Sequence, residues 1–317
     1  MTYQPATISD DLGSLPQLPG WVTSGSAETL ETVAFRSGAA LTVLDHLVSD
    51  PRHGVPVKLL ANRLALSAAT ATSKLEGRLA READIRDAYH LTPPGEARGP
   101  DGDLLAFWRE AVRLQLRGPK EIADLIGPHL VEDLADWLDI GQDRARTHGP
   151  LAGGVEVLRA MLKADDRAER VACLLSDIVL ARALNWKAVL PVTAQQLTKG
   201  ILRDIAAGGQ GAKLAVQARI LESIRETIRL ARDLVRRAEA LRAVAPKLRA
   251  KGSDAAVDLF LTEDAVAPAS VLSPRIRGTS IPMTDRAARR FCDRLVELGV
   301  ARELTGRPTF RLYGIAS

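Results

Sequence analysis

The chain has 317 residues, of which 46% are hydrophobic and 26% charged, a balance that excludes a disordered or membrane-embedded polypeptide. Aromatic residues make up only 4%, so Leu, Ala and Val must fill the core, which favours helix-on-helix packing over a large β-sandwich. A net charge of +4 and a pI near 9.2 are mildly basic, and where the charge sits matters more than its sum.

Residues 1–25 are rich in Pro, Gly, Ser and Asp and read as a flexible arm tacked down by Trp21. They lack the basic and apolar regions of a signal peptide. From residue 26 the spacing turns helical. In "AETLETVAFRSGAALTVLDHLV", residues Leu30, Val33, Ala34, Leu41, Leu44 and Val48 fall near one face. "VKLLANRLALSAATATSKLEGRLA" and "READIRDAYHL" follow, then the turn-rich break "TPPGEARGPDG". "DLLAFWREAVRL" resumes as a helix with Asp101 or Asp103 available as its cap. With "GPKEIADLIG" and "HLVEDLADWLDIGQDRA" these segments make a first helical domain over 26–148.

A second helical block is expected over 149–250. "GGVEVLRAMLKA" and "RAERVACLLSDIVLARALNW" are apolar enough to be buried, and "TAQQLTKGILRDIAA" comes next. Asp177, Arg182 and Lys187 interrupt the most apolar run, which makes it a buried helix rather than a membrane span. Residues 211–249 form the longest periodic stretch. Leu214, Leu221, Ile224, Ile228, Val235 and Leu241 line one side, with Arg and Glu alternating on the other. Cys173 and Cys292 each lie on an apolar helix side and read as buried free thiols of a reducing, cytoplasmic compartment.

Residues 253–317 change character. "SDAAVDLFLTEDAV" is a short amphipathic helix, and "PASVLSPRIRGTSIPM" leaves room for one more helical turn. "TDRAARRFCDRLVELG" is a helix capped by Thr284 and followed by Gly299. "VARELT" and "TFRLYG" read as two strands around Gly306, Arg307 and Pro308. Helices followed by a hairpin make a winged helix-turn-helix, so the fold class expected is mainly α, a multi-helix bundle with a short two-stranded hairpin at its end. The unit carries Arg275, Arg277, Arg286, Arg289, Arg290, Arg294, Arg302, Arg307 and Arg311 against Asp285, Asp293, Glu297 and Glu303. Arginine suits phosphate and guanine because its planar fork binds both bidentately. The residues expected to meet double-stranded DNA are Thr284, Arg286, Arg289, Arg290 and Arg294 on the helix and Arg302, Arg307 and Arg311 on the hairpin. Winged helices also serve as dimerisation or docking modules, which leaves a homodimer or a protein partner as alternatives.

The tail "DRLVELGVARELTGRPTFRLYG" resembles the C-terminal winged helix of many bacterial Fic-type (AMP-transferring) proteins and their inactive relatives. Through "VAFRSGAALTVLDHLV", "LAREADIRDAYHLTPPGEARGPDGDLLAFWR" and the tail, the chain also resembles a bacterial family catalogued as domain of unknown function 1403, which brings no established activity. The Fic resemblance extends to "TSKLEG", where Thr72, Glu76 and Gly77 match an inhibitory helix whose Glu obstructs ATP binding. A plain helix end with Gly77 past its last turn is the other reading. A working Fic loop reads HPFxxGNGR, and the candidate here is "HGPLAGGVEVLR". His148, Gly153, Gly154 and Arg159 are its remnants. The Asn and first Arg are absent, and Glu156 stands about where that Arg belongs, so catalysis of this type is not expected.

The histidines His46, His53, His90, His129 and His148 are dispersed, with no metal-ligand spacing, and no phosphate-loop or nucleophile-elbow pattern occurs. Neither a metal nor a cofactor is expected. The leading expectation is a non-enzymatic regulatory protein that contacts DNA. A toxin–antitoxin-like interaction protein and a nucleotide-binding enzyme with an unrecognised site are the alternatives.

Overall fold

The computed structural model describes residues 15–24, 29–116, 118–248, 251–307 and 309–316. Much of the expected N-terminal arm, and Pro308 at the expected hairpin tip, lie outside the described residues. The chain is mainly helical, with a small antiparallel hairpin near its C-terminal end. The helices are α1 (Gly20–Thr23), α2 (Leu30–Ser49), α3 (Val57–Leu75), α4 (Glu82–Leu91), α5 (Gly99–Ala111), α6 (Lys120–Ile126), α7 (Leu134–His148), α8 (Pro150–Ala164) and α9 (Glu169–Ala183). They continue with α10 (Lys199–Ala206), α11 (Ala212–Val244), α12 (Ser253–Phe260) and α13 (Asp285–Glu297), and the strands are β1 (Ala301–Glu303) and β2 (Tyr313–Ile315).

The 33 residues of α11 span about 50 Å at 1.5 Å per residue. Leu221, Ile224, Ile228, Val235 and Leu241 are buried along it, as the periodicity implied, and it packs along α2. α7, α8 and α9 form a layer of closely crossed helices. Their approach is set by glycine. A Cβ at Gly153 would stand 2.4 Å from the Gly141 carbonyl oxygen, and one at Gly154 would stand 2.8 Å from Ser176 Oγ. Every residue from Val171 to Ala181 in α9 is buried. The segment after it threads through the interior, held by Asp177. One carboxyl oxygen of Asp177 accepts from the Val192 amide (3.1 Å), the Thr193 amide (2.9 Å) and the Thr193 hydroxyl (2.7 Å). Burial lifts this carboxyl to about 7 against the partial opposition of those donors.

Several elements differ from the sequence reading, among them the helix read over 253–266, which stops at Phe260, and the one read from His129, which begins at Leu134 after a 3-10 turn. α5 begins at Gly99, not at an Asp cap, because Pro100 has no N–H to satisfy in a first turn. Asp101 then lies in that turn, where its charge suits the helix dipole. "TAQQLTKGILRDIAA" splits into a 3-10 turn, Ala194–Gln196, and α10, whose cap is Thr198 accepting from the Ile201 amide. The strands are shorter than expected and the second lies further along the chain, with Ala301 facing Ile315 and Glu303 facing Tyr313. The Glu303 carboxylate takes the amides of Thr305 (2.8 Å) and Gly306 and curls the chain away from the ladder. Burial of Leu312, Tyr313 and Ile315 fixes the register.

The tail is seated on the body. One hydrophobic cluster runs from Leu15 to Ile315 across all the blocks expected from the sequence. Arginines of the body also reach into the tail. Arg63 donates to the Ile315 carbonyl (3.1 Å), Arg86 to the Leu304 carbonyl (3.0 Å) and Arg237 to the Ala316 carbonyl. Arg109, 1% exposed, donates to the carboxylates of Asp264 and Glu263, and Asn62 donates to the Thr262 carbonyl (2.7 Å).

Candidate nucleic-acid interface

α13 is built by local rules. The Thr284 hydroxyl accepts from the Ala287 amide (3.3 Å), Asp285 stands in the first turn, and Gly299 takes a left-handed φ of 71° just past the end. Ala288, Phe291, Cys292 and Leu295 are buried on one stripe. Arg286, Arg289, Arg290, Asp293, Arg294 and Glu297 are therefore turned to solvent.

The cations on this face are not equivalent. Arg289 pairs with Asp285 (2.7 Å) and Arg294 with Glu297 (2.9 Å), both exposed pairs within one turn. Such pairs are worth about 0–1 kcal/mol and open readily to a competing anion. Arg286 and Arg290 have no ion pair among the described residues. A groove of about 900 Å³ runs beside them, with Pro246, Lys247 and Leu248 on one bank and Thr284, Arg286, Arg290 and Arg294 on the other. Its lining holds four cations and no carboxylate. Lys247 was missed in the sequence because it belongs to the 3-10 turn Ala245–Lys247, remote from the helix it faces.

The hairpin contributes less openly. Arg302 on β1 is exposed, without an ion pair among the described residues. Arg307 reaches back to Asp87 on α4 (3.3 Å), and Asp87 is held in turn by Arg86 (2.7 Å). Arg311 is exposed, its Nε donating to the Arg307 carbonyl (3.2 Å). β2 lies inside: Tyr313 and Ile315 are 2% and 1% exposed, and Tyr313 also bridges to Val266.

The residues of the two Fic-like motifs have structural partners. Thr72 is buried, donating to the Ala68 carbonyl (2.7 Å) and accepting from Trp108 Nε1 (3.1 Å). Glu76 caps α3 and pairs with Arg78 (3.2 Å) and Arg170 (3.3 Å). Gly77 has φ of 79°, and the Arg78 amide closes onto the Ser73 carbonyl (2.8 Å), a Schellman helix end. His148 is exposed at the end of α7, touching Thr147 Oγ1 (2.7 Å). Gly153 and Gly154 sit inside α8 at its crossings with α7 and α9, not in a loop. Arg159 and Lys213 both hold Glu156, and the two cations pull its carboxyl below the usual range although burial opposes them.

Cys173 and Cys292 are free and buried, and burial raises both thiols. Among the described residues no group of His, Cys, Asp or Glu is placed to hold a metal ion, and no helix is long and apolar enough to cross a membrane.

No curated protein matches the chain. A family model described as "Protein of unknown function (DUF1403)" matches residues 6–315, and the chain belongs to that family.

Proposed function

We propose that the C-terminal unit is a winged helix and that α13 contacts duplex DNA. The observation that carries this reading is the basic face of α13, together with a groove whose cations, Lys247, Arg286, Arg290 and Arg294, meet no acidic side chain in its lining. A helix with this face suits the major groove, and arginine serves both phosphate and guanine.

Topology supports the winged-helix reading. α12 is followed by Val266, which bridges to Tyr313, then by the helical turn Pro268–Leu272, α13, β1 and β2. β2 thus lies between the Val266 bridge and β1, and a long loop between β1 and β2 takes the place of the wing. Because Arg307 is committed to Asp87, the hairpin's contribution falls to Arg302 and Arg311. The contact set is Lys247, Thr284, Arg286, Arg289, Arg290, Arg294, Arg302 and Arg311. The remainder of the chain is a scaffold with no catalytic role in this reading.

Fluorescence polarisation of the full chain with a labelled random-sequence duplex tests it. Binding is expected at about 50 mM salt, and the Arg286→Gln/Arg290→Gln variant is expected to bind at least about tenfold more weakly with unchanged thermal stability. No binding at low salt, or equal binding by the variant, overturns the reading.

A further inference from the structure

The seam between α4 and the tail encloses a second cavity, of about 620 Å³. That volume lies within the range of sites for small organic ligands, about 300–1,000 Å³. Leu91, Pro93 and Pro94 of the body form one wall, and Ala267 and Pro268 form another. These are rigid, apolar surfaces. The polar lining includes His90 of α4, Arg289 and Asp293 of α13, and Arg311 and Tyr313 of the hairpin, of which Tyr313 joins Asp293 to Arg311.

Those polar groups are unequally committed. The Tyr313 hydroxyl donates to Asp293 Oδ1 (3.0 Å), which engages one oxygen of that carboxylate. Arg311 donates its Nε to the Arg307 carbonyl (3.2 Å) and hydrogen-bonds the Tyr313 hydroxyl, with the Asp293 and Glu303 carboxylates nearby. A guanidinium carries five N–H donors, so these two bonds leave others to receive an anion. The rim supplies an independent sign. Phe310 lines the cavity, is 73% exposed, and holds a left-handed φ of 55°. A bulky aromatic residue is rarely found in that conformation, and such strain clusters at ligand sites.

We propose that this cavity binds a small, mainly apolar carboxylate. Its apolar body lies against Leu91, Pro93 and Pro268, and its carboxylate lies on the Arg311 guanidinium. Occupancy would fill the seam between Leu91 of α4 and Arg289 of α13. Binding itself does not depend on the DNA reading and is tested apart from it.

Calorimetric titration of the full chain with 2-naphthoate and with its neutral analogue 2-naphthamide tests the proposal. Naphthoate is expected to bind saturably, one per chain, with a Kd of about 1 mM or tighter. Arg311→Gln is expected to weaken naphthoate about tenfold and leave naphthamide unchanged. Ala269→Trp, at an exposed lining position, is expected to abolish both. An absence of saturable binding by naphthoate overturns the proposal. So does equal affinity for acid and amide, or indifference of the titration to either substitution.

Discussion

Arg109 and Asp264 lie 155 residues apart in the chain and meet as a buried ion pair, their side chains 1% and 2% exposed. His90 Nε2 stands 3.3 Å from the second oxygen of Asp264, and the Arg109 guanidinium lies 5.1 Å from the centre of the Tyr89 ring. Burial alone would raise the Asp264 carboxyl, but the His90 ring and the Arg109 guanidinium outweigh it and hold it at about 2. The group fastens the tail to α4 and α5, so the basic face of α13 is presented on a fixed platform rather than on a tether.

Removing one partner leaves charge stranded. Arg109→Met is expected to cost about 3–5 kcal/mol in chemical denaturation, because Asp264 has no route to solvent. Adding Asp264→Leu is expected to restore most of that loss, since Glu263 is less buried and can turn outward. A cost below about 1 kcal/mol for Arg109→Met would show that the pair does not fasten the tail.

Asp177 gives stability a pH dependence of the opposite sign to Asp264. Its carboxyl titrates at about 7 folded against an ordinary 3.8, so the folded state holds an extra proton between those values. That contribution is complete below about pH 4 and is lost as pH rises through about 7. Asp264, depressed to about 2, contributes stability present above about pH 4 and lost only as pH falls through 2. Denaturation curves are therefore expected to weaken from about pH 4 to about pH 7. Asp177→Asn, which keeps the oxygen facing Val192 and Thr193, is expected to flatten that trend. A wild-type slope persisting in Asp177→Asn would assign it to another group.

Two glycines in helices should respond in opposite directions. Gly153→Ala forces a methyl group against the Gly141 carbonyl and the Ala145 backbone, which drives α7 and α8 apart at about 1–3 kcal/mol. Gly38→Ala in α2 meets nothing within 4 Å and should gain about 0.5–1 kcal/mol from helix propensity. Thermal unfolding of the two variants checks the contrast, and a neutral Gly153→Ala would contradict the close crossing.

What could be read from the sequence was what neighbouring residues decide. Thr284 and Gly299 bracket α13, the apolar stripe of α11 repeats at helical spacing, and Gly77 ends α3, because caps and periodicity act within a few residues. The clamp on the tail was not legible. Arg63 reaches a carbonyl 252 residues away and Arg86 one 218 away, and no local pattern encodes a partner at that range. The same holds for Thr72, whose buried hydroxyl serves Trp108, and for Lys247 across the groove from Arg290. The cations of α13 and of the loop between β1 and β2 were legible as residues. Which of them are spoken for was not: Arg307 and Arg286 look alike in sequence, yet Asp87 of α4 engages Arg307 and not Arg286.

The most direct measurement of the central claim is the salt dependence of duplex binding by the full chain. With about four phosphates neutralised by the groove cations Lys247, Arg286, Arg290 and Arg294, and the other cations of the contact set on base edges or sugar, the logarithm of affinity should fall against the logarithm of salt with a slope of about −3.5. Arg286→Gln/Arg290→Gln should reduce that slope to about −2. A slope near zero, or one the variant leaves unchanged, would contradict the assignment of α13 as the DNA-contacting helix.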